Sequence, residues 1–86
     1  MRFEDLVDEE RKRQDRKWGE QNHDFPRWLE ILLEEIGEMS KAHLEQYPNP
    51  NKAQASSNKF YLGYELIQCA AVLKAMWESG KRNSWL

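Results

Sequence analysis

The chain has 86 residues, 40% of them hydrophobic and 33% charged, enough for one compact domain and too few for two. Thirteen Lys and Arg against fifteen Asp and Glu give a formal net charge of −2, so the positive field that duplex nucleic acid needs is missing and no nucleic acid is expected as a partner. The longest apolar run, Cys69–Leu73, is far short of the roughly 20 residues that cross a bilayer, and the acidic first residues lack the apolar core of a secretory signal; a cytoplasmic protein that does not engage membrane is expected.

The stretch from Arg2 to Lys17 has no Gly or Pro and is rich in Glu, Lys, Arg and Gln, which predicts a first helix. Its apolar residues Phe3, Leu6, Val7 and then Trp18 make a thin stripe, so this helix depends on tertiary contacts. Arg11, Lys12, Arg13, Arg16 and Lys17 interleave with Glu9, Glu10 and Asp15 and read as a solvated face. Gly19 can end the helix, and Asp24 ahead of Pro26 suits the start of a second, expected from Pro26 to Gln46. Tyr47-Pro48-Asn49-Pro50-Asn51 stops it, because each proline disfavours helical geometry in the residue before it, and a loop is expected as far as Asn58.

A third helix is predicted from Lys59 to Ser79, with Gly80 as its cap and Lys81 and Arg82 at the negative end of its dipole. The tail that follows carries Trp85 and Leu86, expected to dock on a neighbouring surface. No strand-like alternation occurs. The expected fold class is all-α, a small helical bundle of three main helices plus a short C-terminal tail. A core of this size supplies only about 3 to 5 kcal/mol, so completion by homo-oligomerisation, as a homodimer or homotetramer, is expected. The single Cys69 lies in the apolar third helix and reads as a buried, inert thiol.

On a wheel of about 100° per residue, Trp28, Leu29, Leu32, Ile36, Met39 and His43 form the expected core face of the second helix. Glu30, Glu34 and Lys41 fall on the solvated side, Glu35 on the border of the apolar arc, and Glu38 one turn on from both Glu34 and Glu35. The third helix is apolar almost all round and should be largely buried, yet Glu65 lies among Tyr61, Val72 and Met76, with Gln68 beside it. A buried carboxylate costs several kcal/mol unless it is paired or coordinates a cation. Either an Arg from the first helix meets Glu65, or a metal does. If the second and third helices are antiparallel neighbours, Glu35, Glu38 and Glu65 can converge, and a carbonyl oxygen from Gln68 completes an oxygen-only set of the kind Mg²⁺ or Mn²⁺ prefers.

Glu34-Glu35-Ile36-Gly37-Glu38, followed after 26 residues by Glu65-Leu66-Ile67-Gln68, resembles the EExxE and ExxD pair of the all-α nucleoside triphosphate pyrophosphohydrolases, the MazG-like branch in particular. The lead-in Trp18-Gly19-Glu20-Gln21-Asn22-His23, then Trp28-Leu29, is similar to the segment that precedes EExxE in small members, so the likeness covers about residues 10–79. The resemblance implies one MazG-like helical domain over residues 1–86, cleaving a nucleoside triphosphate, ribo or deoxy, to the monophosphate and pyrophosphate with Mg²⁺, or Mn²⁺ as a substitute, inside a homo-oligomer. By the same resemblance Glu35, Glu38 and Glu65 are metal ligands and Glu34 orients or deprotonates the attacking water. Trp18 aligns with an aromatic that packs on the nucleobase, and His23 belongs to the same substrate-binding stretch. The chain departs from the family where Gln68 replaces Asp, which removes a negative charge from the metal site. The alternative reading is therefore a catalytically weak or silent helical module that binds nucleotide or protein. No Gly-rich phosphate loop is present, so phosphates would be held by basic side chains, for which Lys74 and Lys81 are candidates.

Overall fold

The computed structural model describes residues 1–46 and 55–86, with only the backbone described at 42, 45, 46 and 55–61. It contains three helices, α1 (Phe3–Trp18), α2 (Phe25–Gln46) and α3 (Ala55–Arg82), and no strand among the described residues. The all-α expectation holds. Most of the expected Pro- and Asn-rich loop, 47–54, lies outside the described residues, as do the side-chain surroundings of Tyr61; the loop's last expected residues, 55–58, are helical, so α3 begins at Ala55 and not at Lys59. No helix is long and apolar enough to cross a membrane among the described residues.

Local chemistry sets the helix ends. Asp5 reaches back to accept from the Arg2 N–H at 3.2 Å. At the other end of α1, Gly19 adopts φ +74°, a conformation that suits a residue without a Cβ, and donates to the Asp15 carbonyl at 2.8 Å. Asp24 caps α2, its side chain accepting from the Arg27 N–H at 3.1 Å. The end of α3 corrects the sequence expectation. Gly80 does not stop the helix, which continues to Arg82; the reversal comes at Ser84, at φ 61°. The Trp85 and Leu86 N–H groups turn back to the Gly80 carbonyl at 3.0 and 3.1 Å, and the Leu86 side chain lies over Gly80, where a Cβ would stand 2.6 Å from it. Gly80 is therefore the seat of the tail, not the cap of the helix.

Trp28 on α2 packs with Val72, Ala75 and Met76 on α3, and Ile31, Leu32 and Trp85 close round them. Trp85 thus docks as expected, edge-on to Phe25 at 5.9 Å. Arg82 and Asn83 bond to Asn22 ahead of α2, while Glu35 meets Gln68 further back, so α2 and α3 form an antiparallel hairpin. Trp28 is 2% exposed, and cutting such a side chain to Ala costs about 3 to 5 kcal/mol.

Helix α1 lies across α3 and, among the described residues, does not approach the α2 backbone. One flank of α1 pairs with the C-terminal half of α3, Asp8 with Lys74 and Arg11 with Glu78 (2.9 Å). The other flank, with Leu6, Glu10 and Arg13, faces Gly63–Ile67. The basic stretch of α1 is accordingly not a plain solvated face. The Arg11 side chain is only 13% exposed, and Glu10 is buried.

Two further expectations need correction. The inward seam of α2 is Trp28, Ile31, Leu32 and Glu35, so Leu29, Ile36 and His43, assigned to the core by the wheel, are exposed. Nor is α3 buried all round, since Leu73 and Trp77 form an open stripe on it and Leu66 is exposed in the groove beside α1. Leu29, Leu33, Ile36 and Leu44 form a matching stripe on α2. Counted from the seam, each stripe lies about 120° round its helix. Because the two helices are antiparallel, both stripes come to one face of the hairpin, opposite α1. The molecule is a slab of 50 × 28 × 20 Å, and its radius of gyration, 14.9 Å, exceeds the roughly 12 Å of a compact chain this long.

Candidate functional site

The seams that build the hairpin also place its acids. Glu35 follows Trp28 by seven residues on α2, and Glu65 precedes Val72 by seven on α3, so both occupy core-facing positions that otherwise take apolar side chains. Glu65 is 3% exposed and Glu35 is half-buried. Gln68, one turn beyond Glu65, bridges them. Its side-chain nitrogen donates to Glu65 Oε2 at 3.1 Å and to Glu35 Oε2 at 3.3 Å, and its oxygen accepts from the Tyr64 hydroxyl at 3.2 Å. The amide orientation is fixed by these partners, since the opposite one would set oxygen against carboxylate.

A third acid arrives from α1. Glu10 is 6% exposed and receives Arg13 Nε on both oxygens at 2.8 Å and Arg13 Nη2 at 2.6 Å. The guanidinium is held well above its ordinary range, chiefly by Glu10, with smaller effects from Tyr64 and Glu35. Glu35 is the strained member of the cluster. Burial pushes its carboxyl up, and repulsion from Glu65, Glu34, Glu38 and Glu10 adds to the shift. The Cys69 thiol is also pushed up, by burial and then by Glu35 and Glu65, as a buried inert thiol would be.

The residues expected from the sequence divide into two groups. Glu35, Glu65 and Gln68 are brought together. Glu34 and Glu38 are exposed on the flanks of Glu35, near enough for their charge to act on it. Among the described residues, no three His, Cys, Asp or Glu side chains are grouped to hold a metal ion. Gln68 presents nitrogen, not oxygen, to the carboxylates. Trp18 is 55% exposed at the end of α1, with Lys17 Nζ 4.6 Å from its ring. His23 packs edge-on against Trp28 at 5.0 Å, beside the core. Lys74 is engaged by Asp8 and Lys81 lies over the Trp77 ring at 4.7 Å, so neither is directed at the acids.

Three residues of the cluster escaped the sequence reading: Glu10, Arg13 and Tyr64. The signal for each was present. Glu10 follows Phe3 by seven and Val7 by three, which continues the only apolar stripe of α1, and Arg13 is its neighbour one turn on. Tyr64 precedes Gln68 by four residues and so shares its face.

A groove of about 850 Å³ opens between α1 and α3 beside this cluster, with Glu10, Arg13 and Tyr64 in its wall. Comparison with protein-family models, characterised proteins and solved structures returns no match to this chain.

Proposed function

We propose that the chain is a divalent-cation-dependent nucleoside triphosphate pyrophosphohydrolase of the MazG-like kind. The observation that carries this reading is the meeting of Glu35 and Glu65, from separate helices, on a single amide nitrogen. Carboxylates are gathered at a core seam, at an energetic cost, where a helical hairpin has no structural need of them. The donor set fits a hard cation. Glu35 and Glu65 would hold it with oxygen, and Glu38, one turn on from Glu35, is the third carboxylate. The upward push on Glu35 comes first from burial and then from repulsion by the neighbouring acids, and a cation would relieve the repulsion.

A bound Mg²⁺ or Mn²⁺ would supply Lewis acidity towards the phosphate oxygens. Water adds across the anhydride between the α and β phosphorus atoms, giving a nucleoside monophosphate and pyrophosphate. Glu34, exposed beside Glu35, takes the proton of the attacking water. Buried Glu10, neutralised by Arg13, closes the α1 side of the site.

The oligomer belongs to the same reading. The open stripes Leu29–Leu33–Ile36–Leu44 and Leu73–Trp77 share one face of the hairpin, and a second copy of that face would cover them in a four-helix arrangement, as a homodimer or as half of a homotetramer.

The test is pyrophosphate release, read with added pyrophosphatase and a phosphate dye, across the ribo and deoxy triphosphates. Metal-dependent turnover that Glu38→Ala abolishes supports the proposal; release equal to that of the variant rejects it. One observation favours a second reading. The Gln68 amide already satisfies both carboxylates, the arrangement expected of a silent module that binds nucleotide or protein. That reading requires nucleotide binding by calorimetry without turnover, and activity that appears on Gln68→Asp.

A further inference from the structure

The reaction proposed above leaves open where the nucleotide lies, and the groove between α1 and α3 carries an answer. Its volume, about 850 Å³, is in the range of small-molecule sites. Its wall changes character along α1. At one end Phe3 and Leu6 oppose Leu66 and Ile67. At the other stand Lys12, Arg13 and Arg16. Arg13 is spent on Glu10, and among the described residues Lys12 and Arg16 have no ion pair at all. The wall also carries Glu9, which is exposed, and Glu10, whose charge Arg13 takes. Tyr64 lines the groove while its hydroxyl donates to Gln68, so Tyr64 and Glu10 are the wall between the groove and the Glu35–Glu65 pair behind it.

A nucleoside triphosphate has the same polarity, a flat apolar base at one end and a polyanion at the other. From Leu6 to Arg16 the helix rises about 15 Å, enough to lay the molecule lengthwise. We infer that the groove binds the nucleoside triphosphate along α1, the base between Phe3, Leu6 and Leu66 and the polyphosphate against Lys12 and Arg16, with the scissile anhydride passing Tyr64 and the acids. This inference rests on the pyrophosphohydrolase reading. It gives Trp18, beyond Arg16 at the cationic end, no part in holding the base.

Steady-state kinetics with Mg²⁺, and inhibition by inorganic tripolyphosphate, test it. Leu6→Arg should raise KM for the nucleoside triphosphate about tenfold, roughly 1.4 kcal/mol of binding, leave kcat within about twofold and leave tripolyphosphate inhibition unchanged. Arg16→Glu should raise both KM and the tripolyphosphate inhibition constant about tenfold, and Trp18→Ala should change neither. Leu6→Gln, with the same expected pattern at smaller size, stands in if Leu6→Arg loses its helical circular dichroism. Unchanged KM in the Leu6 and Arg16 variants of an active enzyme overturns the groove and leaves the hydrolase standing. A raised KM in Trp18→Ala with a silent Leu6 variant reverses the orientation and overturns the inference too. A chain without turnover whose calorimetric affinity for nucleoside triphosphate still falls with Leu6→Arg and Arg16→Glu supports the groove and sinks the hydrolase; no binding at all sinks both.

Discussion

Glu35 on α2 accepts a hydrogen bond from the Gln68 amide of α3 at 3.3 Å, while the same nitrogen donates to Glu65 at 3.1 Å. One neutral donor thus mediates between two carboxylates at the seam of the hairpin. An amide N–H is a weaker partner for two anions than a cation would be, and this arrangement generates the first predictions.

Gln68→Asp exchanges the mediating donor for a third acid. In chelator, repulsion among Asp, Glu35 and Glu65 should lower Tm by about 4 to 8 °C, equivalent to roughly 1 kcal/mol in a domain of this size. Millimolar Mg²⁺ should restore it, because binding to the folded state alone stabilises by mass action. Thermal melts of both proteins with and without Mg²⁺ check this; a variant whose melt ignores the ion would argue against carboxylate coordination at the seam.

The pH dependence follows from Glu35. Its folded carboxyl is pushed above the ordinary carboxylate value, so between the unfolded and folded values the native state holds the extra proton. Stability therefore falls as pH rises through that window, and at neutral pH the ionised Glu35 is a net cost. Glu35→Gln keeps an oxygen to accept from Gln68 and removes the charge. It should raise Tm in chelator by a few degrees at pH 7, a modest gain because solvent screens a half-exposed group, and the gain should vanish below about pH 4. In Mg²⁺ the order should reverse, with wild type the more stable.

Arg11 and Lys74 both tie α1 to α3, but not equally. The Arg11 guanidinium is largely shielded and bonds Glu78 at 2.9 Å, whereas the Lys74–Asp8 pair is exposed. Arg11→Ala should cost about 1 to 2 kcal/mol in urea unfolding and Lys74→Ala clearly less. Asp8, whose carboxyl is held below its usual range by its hydrogen bond to Lys74, should titrate normally in Lys74→Ala when followed by NMR.

Gly80→Ala pits two effects against each other. Alanine favours a helix over glycine by about 1 kcal/mol, but the new methyl would stand 2.6 Å from the Leu86 side chain. The clash should win with the tail intact, lowering Tm and freeing Trp85, visible as a red shift in tryptophan emission. In a Leu86→Gly background the same substitution should become stabilising. A like sign in both backgrounds would separate Gly80 from the tail.

The face carrying Ile36 and Leu73 makes the association proposal testable. Ile36→Lys with Leu73→Lys should reduce the species seen by sedimentation to the monomer, with helical content retained because both positions are exposed in the single chain. Wild type sedimenting as a monomer at high micromolar concentration would reject the association.

Much of this arrangement was legible in the sequence because it depends on spacing within one helix. Glu65 amid apolar neighbours, and Glu35 at the edge of the apolar arc, are wheel properties, and both meet at the seam. What was not legible depends on direction between helices. The wheel for α2 gives a broad apolar arc but not which part of it α3 touches, so it places Leu29 and Ile36 in the core although the contact falls on Trp28, Ile31 and Glu35. The apolar circumference of α3 likewise implied full burial, whereas three helices can cover only part of it. Glu10 was hidden by its neighbours in a run of charges, although its register with Phe3 and Val7 separates it from Glu9. The end of α3 misled for a different reason: Gly80 carries the sequence mark of a cap, but its missing side chain serves the packing of Leu86.

Because among the described residues the α1 backbone packs on α3 and not on α2, with little buried apolar area beyond Val7 and with the exposed Asp8–Lys74 pair among its ties, it is the part of the fold most sensitive to ionic strength. Raising salt should speed amide hydrogen exchange along α1 well before the hairpin backbone responds. Glu10 and Arg13 ride on that helix, so each opening would carry them away from Glu35, coupling the loosening of one helix to the charge felt by the acids of the other two.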